Sequence, residues 1–320
     1  MKSKENKILS LQALRGGAAL AIVVHHIIQS YYFYDVSEFF TQLNKWLPLG
    51  VDVFFVLSGY IIAKCSLLEK RPLNFLKKRL YRVIPIYWFY TLVIIISIEI
   101  FPESYITDWD FETLFYSLFL IPHENLNGYG HYPVLYVGWS LIYEMFFYFI
   151  FSLSIVFSKE KRLTIVIFVT CLLSMIMPKM LGQSSYYLIE FATGCVIYVV
   201  INISNRQNVL ILIFYLTCMA ILLMGPESGY YVKRSVLSGT IVIIFILSEI
   251  KLKLNVNWVL VKLGDISYSL YLSHVIIIGW VLELTRYYKI EDKNNAIMLI
   301  FIGCLSLSYI TYKNIEQRNH

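Results

Sequence analysis

Arg15, His25, His26, Asp52, Glu144 and His274 sit inside long apolar runs of this 320-residue chain. An ionisable group in such a run costs several kcal/mol unless it meets a partner or a wet cavity, which makes each one a functional candidate. His26 follows Arg15 by eleven residues. At about 100° and 1.5 Å per residue, the two share a helix face about 16 Å apart, whereas His25 points about 80° away from Arg15. His26 is therefore the stronger of the two histidines. An imidazole can take a proton from a hydroxyl, and a carboxylate such as Asp52 can fix its tautomer and raise its basicity. Plainer readings stay open: Arg15 snorkelling to the headgroups, the histidines ending a helix, and Asp52 capping its own helix.

Three further groups carry spacing of interest. Arg79 and Arg82 lie three apart, near one helical face, where a forked guanidinium suits a phosphate-bearing ligand; anionic headgroups are the plainer partner. Ser58 and Gly59, followed by Tyr60, either serve a site or permit close helix packing. Glu144 and His274, the latter after Ser267, Tyr268 and Tyr271, either organise a polar core or contribute to chemistry.

The elements that must position these residues follow from composition. The chain is 58% hydrophobic, 17% aromatic and only 15% charged, against about 25% charged in soluble domains. Its mean hydropathy is +0.65. The net charge of +6 is distributed as membrane topology requires, which speaks against nucleic acid as a partner. Cys65, Cys171, Cys195, Cys218 and Cys304 lie in apolar runs without CxxC or ligand-spaced histidines, so neither a disulfide framework nor a metal site is expected.

Runs of about 20 apolar residues predict an all-α integral membrane protein with about ten spans in one bundle. They fall at about 9–31, 47–65, 82–100, 134–157, 163–177, 186–203, 209–224, 235–249, 266–284 and 296–313. Residues 111–121 are too few to cross and predict an interfacial or re-entrant helix. No cleaved signal peptide is expected. One alternating set of connections holds nineteen Lys and Arg, including Lys2, Lys4 and Lys7, and the other holds seven, among them Lys179, Lys233 and Arg234. The positive-inside rule then places both termini in the cytoplasm. The outer connection 101–133 is acidic and aromatic, and Tyr105, Trp109, Tyr129 or Tyr132 could stack on sugar rings. No soluble appendage or strong repeat is evident, so residues 1–320 read as a single domain.

Taken together these segments resemble the acyltransferase-3 family of multi-pass membrane acyltransferases, which modify carbohydrates and lipids at or beyond the plasma membrane. The matching pieces are Leu14-Arg15-Gly16 with its spacing to His26, and Gly50-Val51-Asp52-Val53-Phe54-Phe55-Val56-Leu57-Ser58-Gly59-Tyr60. Further along come Arg79-Leu80-Tyr81-Arg82-Val83-Ile84-Pro85, Gly138-Trp139-Ser140-Leu141 with Glu144, and Ser267-Tyr268-Ser269-Leu270-Tyr271-Leu272-Ser273-His274. Their order and spacing cover nearly the whole chain.

The resemblance implies a cytoplasmic acyl-CoA donor, with acetyl-CoA the common choice, and a sugar hydroxyl on the outer side as acceptor. It also implies a catalytic first-span histidine. On this expectation His26 is the base with Asp52 its orienter, or alternatively carries the acyl group covalently. Arg15, Arg79 and Arg82 meet the donor, while Ser58, Tyr60, Glu144 and His274 organise the site. No tightly bound cofactor is expected. The expected partners are acyl-CoA, membrane lipids and a cell-surface polysaccharide or glycolipid, at the plasma (inner) membrane. The tail Asn314-Ile315-Glu316-Gln317-Arg318 lacks the proline that relatives often carry after the glutamate, which weakens a role for Glu316. The absence of an added extracytoplasmic catalytic domain points to a stand-alone enzyme. The competing expectation is a transporter or flippase of a lipid-linked glycan, which would move its substrate unmodified and without CoA.

Overall fold

A computed structural model describes residues 8–31, 37–66, 69–128, 130–176, 185–202, 206–253, 255–290 and 292–317. Lys2, Lys4, Lys7, Tyr129, Lys179 and Arg318, used in the sequence reading, lie outside the described residues. The helices are α1 (Leu9–Tyr31), α2 (Glu38–Asn44), α3 (Leu49–Ser66), α4 (Pro72–Ile100), α5 (Phe111–Leu118), α6 (Trp139–Ser154), α7 (Lys159–Ile176), α8 (Leu188–Asn202), α9 (Arg206–Leu223), α10 (Pro226–Ile250), α11 (Trp258–Asp265), α12 (Ser267–Tyr287) and α13 (Lys293–Thr311). All ten apolar segments are therefore helical, and there is no strand among the described residues.

Length and apolar content fit seven of these helical stretches for crossing a membrane, those built on α1, α3, α4, α6, α10, α12 and α13. That makes the chain a multi-pass membrane protein. The remaining three of the expected ten are α7, which opens on Lys159, Lys161 and Arg162, and the shorter apolar α8 and α9. Every residue of α8 from Leu188 to Val199 is buried. A helix that is apolar all round and enclosed by protein need not match the thickness of the lipid.

Local chemistry explains where the helices start. Pro72 and Pro226 occupy first-turn positions of α4 and α10, where the missing N–H is no loss. Asp110 and Thr113 form a capping box on α5, and Asn257 and Asp292 cap α11 and α13. The first amides of α1 are satisfied from another helix: Leu9 and Ser10 N–H donate to the Glu249 carboxylate at the end of α10, at 3.1 and 2.6 Å.

Packing centres on α3 and α8, which run against each other over more of their length than any other pair. Glycines set that approach. A Cβ on Gly194 would run into the Val56 carbonyl and sit 2.6 Å from the Tyr60 amide, and one on Gly59 would meet the Phe191 carbonyl. Around the crossing an aromatic column fills the core, with Phe191 stacked on Phe147 (4.5 Å between centroids) and close to Phe55 (4.8 Å).

The 101–138 connection returns into the bundle. Tyr87 Oη donates to the Ser117 carbonyl and Trp88 Nε1 to the Leu118 carbonyl, each at 2.9 Å. Trp88 lies twelve residues before Ile100, so the end of α5 reaches about 18 Å down α4. Residues 111–121 therefore fold back along α4, where two of its side chains satisfy carbonyls of the α5 end. Phe111, Phe115 and Phe119 form the exposed stripe of this element.

Candidate active site

A cleft enclosing about 850 Å³ of empty space, its mouth included, opens among α1, α3, α4, α6 and α12. Arg15, Arg79 and Arg82 line it together with Ser58, Glu144, Tyr148, Tyr268 and Tyr271. This is the end of the bundle that carries the basic 69–82 connection. The Arg79 guanidinium lies over the rings of Phe75 and Tyr148, 5.4 and 5.8 Å from their centroids. Ser58 Oγ donates to Glu144 Oε1 at 3.2 Å, and the Tyr148 hydroxyl donates to the same oxygen. Ser58 thus lines the cleft and bonds Glu144, and Gly59 provides the close helix approach.

Arg15 has Arg82, Glu316 and Glu144 as its charged neighbours. Glu316, buried in the π turn that ends α13, accepts from Ser269 Oγ at 3.1 Å. The missing proline led the sequence reading to discount Glu316, yet the fold returns it to the arginines. Arg15 does not simply snorkel: it shares the cleft with Glu144 and has Glu316 as a charged neighbour.

The inner end of the cleft is closed by Tyr271 and Ser140. The Tyr271 hydroxyl donates to the Val137 carbonyl at 2.9 Å and meets Ser140 Oγ at 2.8 Å. One turn further along α12 is His274, wholly buried, and its ring lies 5.1 Å from that of His26. His26 Nδ1 is 3.0 Å from Gln29 Oε1 and 3.2 Å from the Tyr136 hydroxyl. An amide oxygen can only accept, so the Gln29 contact suits the tautomer with the proton on Nδ1, which leaves Nε2 its lone pair. His25 turns aside, its Nδ1 2.7 Å from Asn44 Oδ1. The two histidines thus have different partners, His25 on Asn44 of α2 and His26 on Gln29 and Tyr136.

Two expectations are corrected. Asp52 neither caps α3 nor orients His26: its carboxylate is taken by Arg234, with Nε at 2.8 Å and Nη2 on the other oxygen. Arg234 also donates from Nη1 to the Tyr230 hydroxyl at 2.8 Å. The physical reason is charge: a fully formed guanidinium binds a buried carboxylate more strongly than a neutral imidazole does. Arg234 had been counted in a connection, but α10 begins at Pro226 and carries it two turns into the bundle. Tyr105 is the second correction. Its hydroxyl donates to the Ile276 carbonyl at 3.2 Å and its ring fills the space above Gly279, leaving it no platform for a sugar. Trp109 keeps its indole N–H on Glu99 Oε1 at 2.9 Å.

Tyr60 stands apart from the cleft, buried with its ring against Tyr198 of α8. Sequence reasoning missed Gln29, Tyr136, Arg234 and Glu190. Glu190 is a wholly buried carboxyl within an apolar run, near Asp52 and Arg234. Its ionisable type in that run was the available signal. Tyr136 and Gln29 had none, because only the return of the 101–138 connection brings Tyr136 to His26. No metal-holding group of His, Cys, Asp or Glu occurs among the described residues.

Known proteins place this architecture. The exopolysaccharide production protein ExoZ of Rhizobium meliloti (strain 1021) is 36% identical over 122 residues, covering 37% of this chain and 37% of that protein. The O-acetyltransferase OatA of Staphylococcus aureus (strain NCTC 8325 / PS 47) is 27% identical over 185 residues, covering 52% of this chain and 28% of OatA. The chain thus spans about a third of the length of these two relatives. BcsY of Komagataeibacter xylinus is 25% identical over 345 aligned positions, covering 96% of this chain and 82% of that protein. No solved structure gives a significant match. The family model described as an acyltransferase domain, Acyl_transf_3, matches residues 8–313, and the chain belongs to this acyltransferase-3 family.

Proposed function

We propose that this protein is a membrane O-acyltransferase that moves an acetyl group from acetyl-CoA to a hydroxyl of a cell-surface polysaccharide or glycolipid. The observation that carries this reading is the arginine-lined cleft with the His26–His274 pair next to Tyr271, the residue at its closed inner end. Arg15, Arg79 and Arg82 supply fixed positive charge for the CoA phosphates. The apolar flank of Phe54, Leu57, Ile61 and Val83 suits the pantetheine arm, and the thioester is directed toward Tyr271.

The acceptor comes from the opposite end. His26 Nε2 takes the proton of the attacking hydroxyl while its oxygen forms a bond to the thioester carbonyl carbon. The carbon–sulfur bond then breaks, and the proton held by His26 passes to the sulfur to give free CoA thiol and the ester. Gln29 and Tyr136 hold the imidazole for this task in place of Asp52. The names of ExoZ and OatA, exopolysaccharide production and O-acetyl transfer, favour a surface glycan as acceptor. The Lys and Arg distribution favours the plasma membrane with both termini and the donor cleft on the cytoplasmic side.

The test compares the mass of surface polysaccharide from a deletion strain complemented with wild type or with His26→Ala, at matched protein levels in the membrane. An acetyl increment restored by wild type alone is expected. No acyl difference in any strain would overturn the reading and favour a transporter of unmodified glycan.

A further inference from the structure

Attack on a thioester pushes negative charge onto its carbonyl oxygen, and a hydrogen-bond donor fixed at that point in a dry site lowers the barrier more than most other devices. His26, as the base, cannot also fill this role. His274 has 0% exposure, and neither Nδ1 nor Nε2 meets a hydrogen-bond partner. The carbonyls of Leu270 and Tyr271 are the nearest acceptors, and neither lies in hydrogen-bond geometry to a ring nitrogen. A buried polar group left unpaired is costly, about 1–3 kcal/mol, and is retained where a ligand completes it.

Placement says which ligand atom that is. The His274 and His26 rings are tilted by 31° with centroids 5.1 Å apart, and no hydrogen bond joins them. On its other side His274 adjoins Tyr271, 5.9 Å between centroids, the residue that closes the donor cleft. His274 therefore touches both Tyr271, at the closed end of the donor cleft, and His26.

We infer that His274 is a catalytic residue that donates its N–H to the thioester carbonyl oxygen and stabilises the oxyanion during transfer. The inference rests on the acyl-transfer reading above. The acceptor oxygen bonds to the carbonyl carbon, and the π electrons of the C=O move onto the oxygen held by His274. They return as the carbon–sulfur bond breaks. The hydroxyl proton travels through His26 to the sulfur, and His274 keeps its own proton throughout, as a neutral imidazole acting as an electrophile does.

The test uses the full-length protein in detergent or nanodiscs with acetyl-CoA as the probe and a polysaccharide acceptor from the deletion strain. His274→Ala is expected to lower kcat by about 10²–10³-fold, with the acetyl-CoA KM within about threefold of wild type. Asn and Gln offer an N–H at the two imidazole nitrogen positions but cannot act as bases. His274→Asn or His274→Gln should therefore recover at least about tenfold over Ala, while His26→Gln stays inactive. If both amide variants bind acetyl-CoA normally yet match Ala, His274 moves a proton and the inference is overturned. A kcat for His274→Ala within about threefold of wild type leaves it a packing role only and also overturns it. Should His274→Ala fail to fold, the amide variants decide alone, at least about 1% of wild-type kcat in one supporting the inference and less than that in both refuting it. Wild type that transfers nothing overturns the acyl-transfer reading itself, a result separate from the others.

Discussion

Truncating Asp52 to alanine should damage the fold rather than the chemistry. Its carboxylate is wholly buried, and the Arg234 side chain is only 13% exposed. Removing one member strands the other, which costs about 3–5 kcal/mol for a buried pair. The two truncations should not be equal. Asp52→Ala leaves Arg234 with the Tyr230 hydroxyl at 2.8 Å and the Tyr230 ring 5.4 Å from the guanidinium carbon. Arg234→Ala leaves Asp52 beside the buried Glu190 carboxyl with no cation between them, and is expected to be the worse variant. Replacing both, as Asp52→Leu with Arg234→Met, removes both charges and should restore most of the loss. Thermal unfolding of the purified protein in one detergent, with acyl transfer measured per folded molecule, checks the set. The singles should unfold at clearly lower temperature, and the double should recover both stability and turnover to within about threefold. A double variant that folds like wild type but has lost about a hundredfold in turnover would refute this reasoning and return Asp52 to the mechanism.

Three other outcomes are expected. Gly194→Ala forces α3 and α8 apart at the Val56 carbonyl, for about 1–3 kcal/mol in thermal stability, whereas Gly17→Ala, with nothing within 4 Å of the added Cβ, should be neutral or mildly stabilising. Arg79→Ala with Arg82→Ala should raise the acetyl-CoA KM at least about tenfold, a loss of about 1.4 kcal/mol, with a smaller change in kcat; unchanged donor dependence would remove both from phosphate contact. Gln29→Leu lets the two His26 tautomers compete and should lower kcat by up to about tenfold at unchanged KM, so a wild-type kcat would mean that Tyr136 alone suffices.

Much of this protein was legible before folding. The apolar runs marked ten helical segments, seven of them long and apolar enough to cross a membrane, where lipid leaves a backbone few other ways to satisfy its polar groups. Arg15, His26, Glu144 and His274 were visible as ionisable groups in the wrong solvent, and helical phase separated His26 from His25. These are one-dimensional signals, set by residue type and a fixed rise per residue.

What pairs with what was not legible, since a partner more than a hundred residues away leaves no mark in spacing. Asp52 and His26 seemed matched in depth, but depth along an axis says nothing of azimuth between helices, and the azimuth of α3 gave Asp52 to Arg234. Glu316, discounted for a missing proline, returned through the π turn that ends α13. The 101–138 connection read as a surface, whereas its descent along α4 delivers Tyr136 to His26 and Val137 to Tyr271. Residue type decided which groups must find partners, and only the crossing of helices, set by close contacts such as Gly59 with Phe191 and Gly194 with Val56, decided which partners they found.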